Sequence, residues 1–298
     1  WDDDLLRLFN IPKSMLPKVC DSASNFGNTD KSFFGSSIPI CSLIGDQPSA
    51  LVGQACFKPG MVKSTYGTGC FVLINTGVVP VQSNNKLLTT IAYQINNKPC
   101  YALEGSIFVA GAAIQWLRDK LEFIDAADQS DTLAMNADPG EDVFLVPAFV
   151  GLGAPYWDSD CRGALFGLTR NTGPAEITKA ALESVCYQTC DLLNAISNDL
   201  GHDMLSTIRV DGGMSASNWT MQMLADLINL PVERPKNLET TALGAAYFAG
   251  MQIGFYPSTE EFAESWKTEK QFSSKMSDVK RAGKLLGWKD AVSRTLSK

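Results

Sequence analysis

The sequence predicts an α/β fold, because segments with the pattern of strands alternate with segments that have the pattern of helices. Residues 70–110 contain three apolar, strand-like runs separated by turns. Residues 174–200 hold the strongest helical pattern, with Pro174 and Glu176 in the first turn and apolar residues recurring on one face. Residues 207–230 have the order strand, glycine turn, helix.

Length and composition are those of a globular enzyme. The chain has 298 residues, of which 45% are hydrophobic and 19% are charged. A chain of this length suggests about two domains and buries roughly 75% of its unfolded surface. The net charge of −7 and the lack of Lys- or Arg-rich runs argue against a nucleic-acid partner. No apolar run has membrane-spanning length, so no membrane insertion is expected.

The eight cysteines are scattered, without a paired spacing, and most stand inside apolar runs. A chain of this size does not need disulfide bonds for stability, so reduced and buried thiols are expected. This usage predicts a cytoplasmic location.

The N-terminal 45 residues predict little regular structure. Residues 1–20 suggest a short amphipathic helix that is interrupted at Pro12 and restarts near Met15. Residues 21–37 are rich in Ser, Gly and Asn and predict a loop. The apolar run of residues 38–44 predicts a strand.

Asp46 is the best candidate for a general base. It follows the predicted strand, and a carboxylate at the C-terminal end of a strand points into a crevice. Gln47 beside it offers both a hydrogen-bond donor and an acceptor. A helix is expected over residues 47–56, with Pro48 in its first turn.

Thr68 stands between Gly67 and Gly69 and precedes a strand-like run. Two glycines let the backbone approach an anionic oxygen, and the threonine hydroxyl can donate a hydrogen bond to it. Taken alone, the same three residues are also compatible with an ordinary tight turn.

A second candidate site lies at the start of the helix predicted after residue 110. Gly111 and Gln115 are one turn apart there, where free amides and a side-chain amide can meet a phosphate or a ribose. A plain helix start with a solvent-facing glutamine is the alternative.

A third candidate follows the strand of residues 207–211. Gly212 and Gly213 would let an adenine or a ribose lie against the backbone, and Asp211 could orient it, although a simple turn is the alternative. His202 is the only histidine and follows a helix end, so it is a poor catalytic candidate.

The remaining segments predict scaffold. Residues 125–141 suggest a loop with one turn of helix, and residues 143–150 suggest a buried strand. The helix expected after Thr240 is rich in Ala and Gly, which permits another helix to approach closely. The charged tail from Pro257 predicts a surface helix.

Several motifs together resemble the glycerol kinases, which are members of the FGGY family of carbohydrate kinases. These motifs are GDQ at residues 45–47, TYGTGCF at 65–71, GAAIQWLRD at 111–119 and APYWDSDCRGALFGLTR at 154–170. The opening WDDDLLRLFNIPKSMLPKV is also similar to a segment from inside a glycerol kinase chain. The resemblance runs through nearly the whole sequence.

The resemblance implies a role for each matching residue. It makes Asp46 the catalytic base and also a substrate contact, beside the substrate-binding residues Gln47 and Phe71. It assigns nucleotide contacts to Thr68, Gly111, Gln115, Gly213 and Ser217. At the last position the family has asparagine, whereas this chain has a serine with one fewer donor and a shorter reach, and Asn218 is its neighbour.

The resemblance also implies an actin-like ATPase fold of the ribonuclease H-like type, in which two domains close over the substrates. Residues 1–54 would form the end of the N-terminal domain and carry the catalytic aspartate. Residues 55–298 would form the C-terminal, nucleotide-binding domain. The chain begins with Trp1, so we expect a portion of a longer protein that lacks most of the N-terminal domain and is inactive by itself.

The implied reaction is the ATP-dependent phosphorylation of glycerol to glycerol 3-phosphate, with ATP and Mg²⁺ as cofactors and a homo-oligomer as the full-length form. Magnesium would be held mainly by phosphates and waters. Two alternatives stay open. The first is another FGGY kinase, for a pentulose or a sugar acid, and the second is a non-catalytic actin-like nucleotide-binding module. An intact Asp46–Gln47 pair argues against the second alternative.

Overall fold

A seven-stranded mixed sheet forms the centre of the computed structural model, which describes residues 1–201 and 204–298. The order of its strands is β3-β4-β2-β1-β7-β8-β9, and β5 and β6 form a separate two-stranded sheet. The strands are β1 (Val62–Tyr66), β2 (Cys70–Gly77), β3 (Leu88–Ile95), β4 (Lys98–Ile107), β5 (Phe144–Val146), β6 (Ala164–Phe166), β7 (Ile208–Asp211), β8 (Val232–Pro235) and β9 (Thr268–Phe272).

Helices cover both faces of the large sheet. They are α1 (Asp3–Leu8), α2 (Lys31–Phe34), α3 (Asp46–Gly53), α4 (Gly111–Asp119), α5 (Gln129–Met135), α6 (Pro174–Leu200), α7 (Asn218–Ile228), α8 (Thr240–Gln252), α9 (Thr259–Ser265) and α10 (Asp278–Thr295). Helix α6 packs on one face through Leu192 and Val185, while α3 packs on the other through Leu51.

The adjacent strands β1, β7 and β8 are parallel, and this arrangement positions the site. Strand β1 pairs with β7 in parallel, so that Val62 stands opposite Ile208 and Thr65 opposite Asp211. Strand β8 continues the parallel set beyond β7. The carboxyl ends of β1 and β7 therefore meet at one edge of the sheet, where α/β proteins bind ligands.

The α3 and α8 backbones are in direct contact. A Cβ atom on Gly53 would lie 2.0 Å from the carbonyl oxygen of Thr240, and one on Gly244 would lie 1.9 Å from that of Ser49. Ser49 also donates its hydroxyl to the Thr241 carbonyl at 2.6 Å. The close approach that the small residues of α8 predicted is confirmed.

Several predicted elements are confirmed with their local causes. Pro174 is the first residue of α6, and the Glu176 carboxylate accepts from the amides of Gly173 and Asp138 at 2.8 and 3.0 Å. The hairpin between β3 and β4 turns at Asn96 and Asn97, which both have positive φ. All eight cysteines are free, and seven of them are buried.

The predicted strand at residues 38–44 is wrong. This segment forms only isolated bridges, between Ala23 and Ser42 and between Asn28 and Pro39. Ile38, Ile40 and Leu43 are exposed rather than buried, and Pro39 lacks the amide that a ladder needs. Asp46 is therefore the first residue of α3 and does not end a strand.

Other differences concern short elements. Strands β1, β6, β8 and β9 were not predicted, and β1 has three consecutive polar residues. The predicted strand at residues 143–150 is limited to the three residues of β5. The predicted loop at residues 21–37 contains the one-turn helix α2. The expectation for His202 lies outside the described residues.

Candidate active site

The five predicted nucleotide contacts line one cavity of about 480 Å³ at the carboxyl ends of β1 and β7. This volume is within the usual range for small-molecule sites. Tyr66, Arg118 and Asp131, which were not predicted as contacts, also line the cavity. The predicted residues that contribute to it are Thr68, Gly111, Gln115, Gly213 and Ser217.

The glycine turn after β1 caps helix α4. Gly111 and Ala112 donate their amides to the carbonyls of Gly67 and Thr68, each at 3.0 Å. A Cβ on Gly111 would lie 2.7 Å from the Gly67 carbonyl oxygen, so this glycine permits the contact. The expectation of free amides at Gly111 is therefore wrong, because the turn already uses them.

The exposed surface of the same turn has a free hydroxyl group. Thr68 is exposed at the cavity, and its Oγ1 atom makes no hydrogen bond to the residues that the structure describes. Gln115 lies one turn along α4 and is also exposed to the cavity. Both side chains are thus available to a ligand.

The turn after β7 combines a strained glycine with an open one. Gly212 has a φ of +82°, and a Cβ there would lie 2.5 Å from the carbonyl oxygen of Tyr66. Gly213, by contrast, has no protein atom within 4 Å of its Cβ position. A side chain at Gly213 would therefore meet the contents of the cavity and not the fold.

Asp211 does not face the cavity, contrary to our expectation. Its carboxylate is buried and accepts hydrogen bonds from Gln54 Nε2 and Thr240 Oγ1, each at 2.7 Å. These contacts join β7 to α3 and α8. Asp211 therefore stabilises the packing of the helices and is not oriented toward a ligand.

Ser217 is the N-cap of α7. Its Oγ atom accepts from the Thr220 amide at 2.9 Å and donates to Asp131 Oδ1 at 2.5 Å. Asn218 is engaged elsewhere, because its Oδ1 atom accepts from both Arg234 and Lys270 at 3.1 Å. Of the two neighbours, Ser217 is the one that lines the cavity.

Asp46 and Gln47 form a local unit at the start of α3. The Asp46 carboxylate accepts from the Gln47 amide through Oδ1 at 2.8 Å and from Gln47 Nε2 through Oδ2 at 3.2 Å. Asp46 is otherwise exposed. Its two oxygens are thus oriented by one neighbouring residue, and the carboxylate stays accessible to a substrate.

Lys63 lies beneath this pair, and the sequence analysis missed it. It is fully buried on β1 and donates to Gln47 Oε1, to Thr65 Oγ1 at 3.0 Å and to the Phe71 carbonyl at 3.2 Å. Burial lowers the pKa of Lys63 to about 8, although the nearby Asp211 favours the charged form. A lysine in a short strand looks like a surface residue in sequence. Its neighbours Val62 and Ser64 are the only sequence signal of burial, and they are a weak one.

Glu104 stands on the same side of the sheet. It is opposite Leu73 on β2, which is in turn opposite Lys63 on β1. Burial raises the pKa of Glu104, and the Lys63 charge acts in the opposite direction. The face of the sheet beneath α3 is therefore polar here, next to the partly buried ring of Phe71.

The predicted residues thus fall into two groups. Asp46, Gln47 and Phe71 are joined through Lys63, while the nucleotide set lines the cavity at the end of β1. The β1–β2 turn connects the groups, because Thr68 is three residues from Phe71. A phosphate at the turn would lie at the border between them.

Two further features bear on the kind of site. No helix within residues 1–201 and 204–298 is long and apolar enough to cross a membrane. Nor do these described residues contain a cluster of three side chains suited to hold a metal ion.

The chain is similar to known glycerol kinases in sequence and in structure. A glycerol kinase from Sinorhizobium fredii is 61% identical over 99% of this chain and 60% of its own length. The crystal structure of Plasmodium falciparum glycerol kinase with ADP superposes with a TM-score of 0.91 at 40% identity, covering 100% of this chain and 60% of that one. The chain thus spans about 60% of the length of these relatives, and the resemblance to glycerol kinases is confirmed.

The fold is shared more widely. The structure of gluconate kinase from Lactobacillus acidophilus has a TM-score of 0.82 at 20% identity, covering 99% of this chain and 60% of that one. These structures are sugar kinases of the actin-like ATPase fold, so the predicted fold class is confirmed. The profile of the C-terminal domain of the FGGY family of carbohydrate kinases matches residues 62–253. The chain therefore belongs to the FGGY family of carbohydrate kinases.

Proposed function

We propose that the protein to which these residues belong transfers the γ-phosphoryl group of ATP to glycerol and forms glycerol 3-phosphate. The observation that carries the proposal is the pairing of an accessible, oriented carboxylate with a separate nucleotide-sized cavity across one turn. The 61% identity to a glycerol kinase supports glycerol over other polyols.

Asp46 acts as the general base in this proposal. It accepts the proton of the attacking hydroxyl group as the oxygen bonds to the γ-phosphorus and the bond to ADP breaks. Such a base contributes about 10²-fold to 10⁴-fold to the rate. Gln47 donates to a hydroxyl of the substrate, and the Phe71 ring packs against its carbons.

The cavity residues hold the nucleotide. The free Thr68 hydroxyl donates to a phosphate oxygen, and the open surface at Gly213 receives the adenosine. Gln115 and Ser217 line the rest of the volume. Mg²⁺ neutralises phosphate charge when it is bound, while these residues position the nucleotide. We assign residues 1–54 to the first domain and 55–298 to the nucleotide domain in the same proposal.

The main alternative is that the substrate is a sugar or a sugar acid and not glycerol, because gluconate and xylulose kinases share the fold. Those structures are each 20% identical to this chain, so they bear on the fold alone. A cytoplasmic location and self-association of the full-length protein stay predictions.

The test is a coupled assay of ADP release with a chain of the relatives' full length that carries these 298 residues. Glycerol, xylulose and gluconate are compared, and we expect glycerol to have the highest kcat/KM. Faster turnover of either sugar would contradict the assignment. ADP binding without turnover of any of them would favour a non-catalytic module.

A further inference from the structure

Lys63 has a hydrogen-bonding arrangement that its burial makes unusual. An ammonium group has three donors, and here all three meet uncharged acceptors, namely a side-chain amide oxygen, a hydroxyl and a backbone carbonyl. Lysine is almost never fully buried without a partner of opposite charge. The position of this side chain therefore calls for an explanation beyond packing.

The contact with Gln47 fixes the orientation of an amide group. A lysine ammonium can only donate, so it selects the amide oxygen Oε1 and not Nε2. The Nε2 atom must then point the other way, and it donates to Asp46 Oδ2 at 3.2 Å. One N–H of this group contacts the carboxylate, and the second is left for a ligand.

We propose that Lys63 is a positioning residue, which sets the Gln47 amide so that it presents its N–H groups to Asp46 and to a substrate hydroxyl. The inference rests on the proposed function, because it places Gln47 against the substrate. Lys63 itself donates to protein atoms only, so it acts through Gln47 and does not contact the reacting atoms.

Packing alone does not account for a lysine at this position. A methionine fills a similar volume without desolvating a charge, and replacing buried ionic groups by apolar ones is often neutral or stabilising. The other two acceptors, Thr65 and Phe71, belong to the same hairpin and hold the ammonium group in place beneath α3. The third contact, the hydrogen bond to Gln47 Oε1, therefore starts from a fixed ammonium group and orients the Gln47 amide.

A spectroscopic test needs no turnover and uses the 298-residue chain. Glutamine side chains are labelled with ¹⁵N, and the Gln47 amide signal is identified as the one lost in Gln47→Ala. We expect Lys63→Met to shift that signal and to leave the other glutamine signals in place. An unchanged Gln47 signal in the folded variant would overturn the proposal.

If Lys63→Met does not fold, the pH dependence of the Gln47 amide signal tests the contact between Lys63 and Gln47. In the unmutated chain this signal should titrate with a midpoint near pH 8, the pKa to which burial lowers Lys63. The acidic groups near Lys63 are Asp46, Glu104 and Asp211, and burial raises the pKa of the two nearby thiols, Cys56 and Cys70, to about 12, outside this range. A signal that is constant from about pH 7 to about pH 11, beyond the ordinary lysine pKa of about 10.4, would contradict the contact.

A kinetic test in the full-length protein separates positioning from stability. We expect Lys63→Met to raise KM for glycerol about 10-fold or more, as for the loss of a charged hydrogen bond, with KM for ATP unchanged. In a Gln47→Ala background the same change should have little further effect. Independent, multiplicative effects of the two changes would show that Lys63 does not act through Gln47.

A matched control replaces a second buried lysine. Lys284 on α10 pairs with Glu183 on α6 at 3.0 Å, so Lys284→Met combined with Glu183→Gln removes that pair as a unit. It should leave KM for glycerol unchanged, and an equal rise there would overturn the specific role of Lys63. If the unmutated enzyme does not phosphorylate glycerol, the proposed function fails, and the spectroscopic result still decides the position of Gln47.

Discussion

The Asp191 carboxylate and the Trp288 indole form a hydrogen bond of 2.8 Å that joins α6 to α10. The Tyr156 hydroxyl donates to the same carboxylate oxygen, also at 2.8 Å. Burial raises the pKa of Asp191 to about 6, and these two donors only partly offset it. The carboxyl group therefore binds its proton more tightly than an ordinary aspartic acid does.

This arrangement predicts a pH-dependent stability. The folded chain binds the Asp191 proton more tightly than the unfolded chain, so the contribution of this group to stability falls as pH rises from about 4 to about 6. Asp191→Asn abolishes the titration, and its amide oxygen can still accept both hydrogen bonds. The Tm of Asp191→Asn minus the Tm of wild type is the quantity to follow. We expect this difference to be about 2 to 5 °C larger at about pH 7 than at about pH 4.5.

Asp290→Asn on α10 is the control for that comparison, because Asp290 is exposed and pairs with the exposed Arg294. Its Tm difference from wild type should be nearly constant with pH. Thermal unfolding followed by circular dichroism gives both values. A flat difference for Asp191→Asn would show that Asp191 does not titrate in this range.

Asp46→Asn tests the general base. The asparagine keeps the shape and the hydrogen bond from the Gln47 amide but cannot take up the proton. In the full-length protein we expect kcat to fall by about 10²-fold or more while KM for ATP changes little. Steady-state kinetics of the variant beside Asp290→Asn measure this, and a kcat within about threefold of wild type would disprove the role.

Gly213→Val tests the nucleotide cavity in the 298-residue chain. No protein atom lies within 4 Å of the added Cβ, so the fold should accept the side chain while the bound nucleotide should not. We expect ADP affinity to fall by about 10-fold or more, the effect of roughly 1.4 kcal/mol. Gly283→Val, which also has an open Cβ position but lies on α10, is the control. If calorimetry finds equal ADP affinity in both variants, the nucleotide does not bind in the cavity at Gly213.

Gly244→Ala tests the contact between α3 and α8. The new Cβ would lie 1.9 Å from the Ser49 carbonyl oxygen, so the backbones must separate. We expect a loss of about 1 to 3 kcal/mol in the free energy of unfolding, as for other overpacked sites. Gly283→Ala, exposed within α10, should instead gain about 0.5 to 1 kcal/mol. Denaturant unfolding distinguishes them, and equal stability of both variants would refute the close contact.

Sequence patterns predicted the long elements because their signals are local. Helix α6 has its own start, periodicity and stop within 27 residues, and the β3–β4 hairpin has its Asn96–Asn97 turn. The strand prediction at residues 38–44 was wrong because an apolar run has the same sequence pattern whether or not it pairs with a sheet. Burial depends on neighbours that are distant in sequence, and here the segment is paired only by isolated bridges.

The candidate site was predictable where glycine and motif spacing define it, at Thr68 and Gly213. It was not predictable where one residue depends on another far away. Lys63 meets Gln47 only because β1 runs beneath α3, and Asp211 turns inward only because Gln54 and Thr240 supply donors there. Such contacts follow from the topology of the fold, and the sequence near each residue carries no signal of them.

The cap that the Gly67–Gly69 turn places on α4 has an electrostatic consequence. The carbonyls of Gly67 and Thr68 accept from the first amides of α4, and each belongs to a peptide unit whose other side is the N–H of the next residue. Hydrogen bonds in series polarise one another, with a strengthening of roughly 10–30% per bond. The positive end of the helix dipole is thereby relayed through two peptide units, which makes the N–H groups of Thr68 and Gly69 stronger donors to an anion.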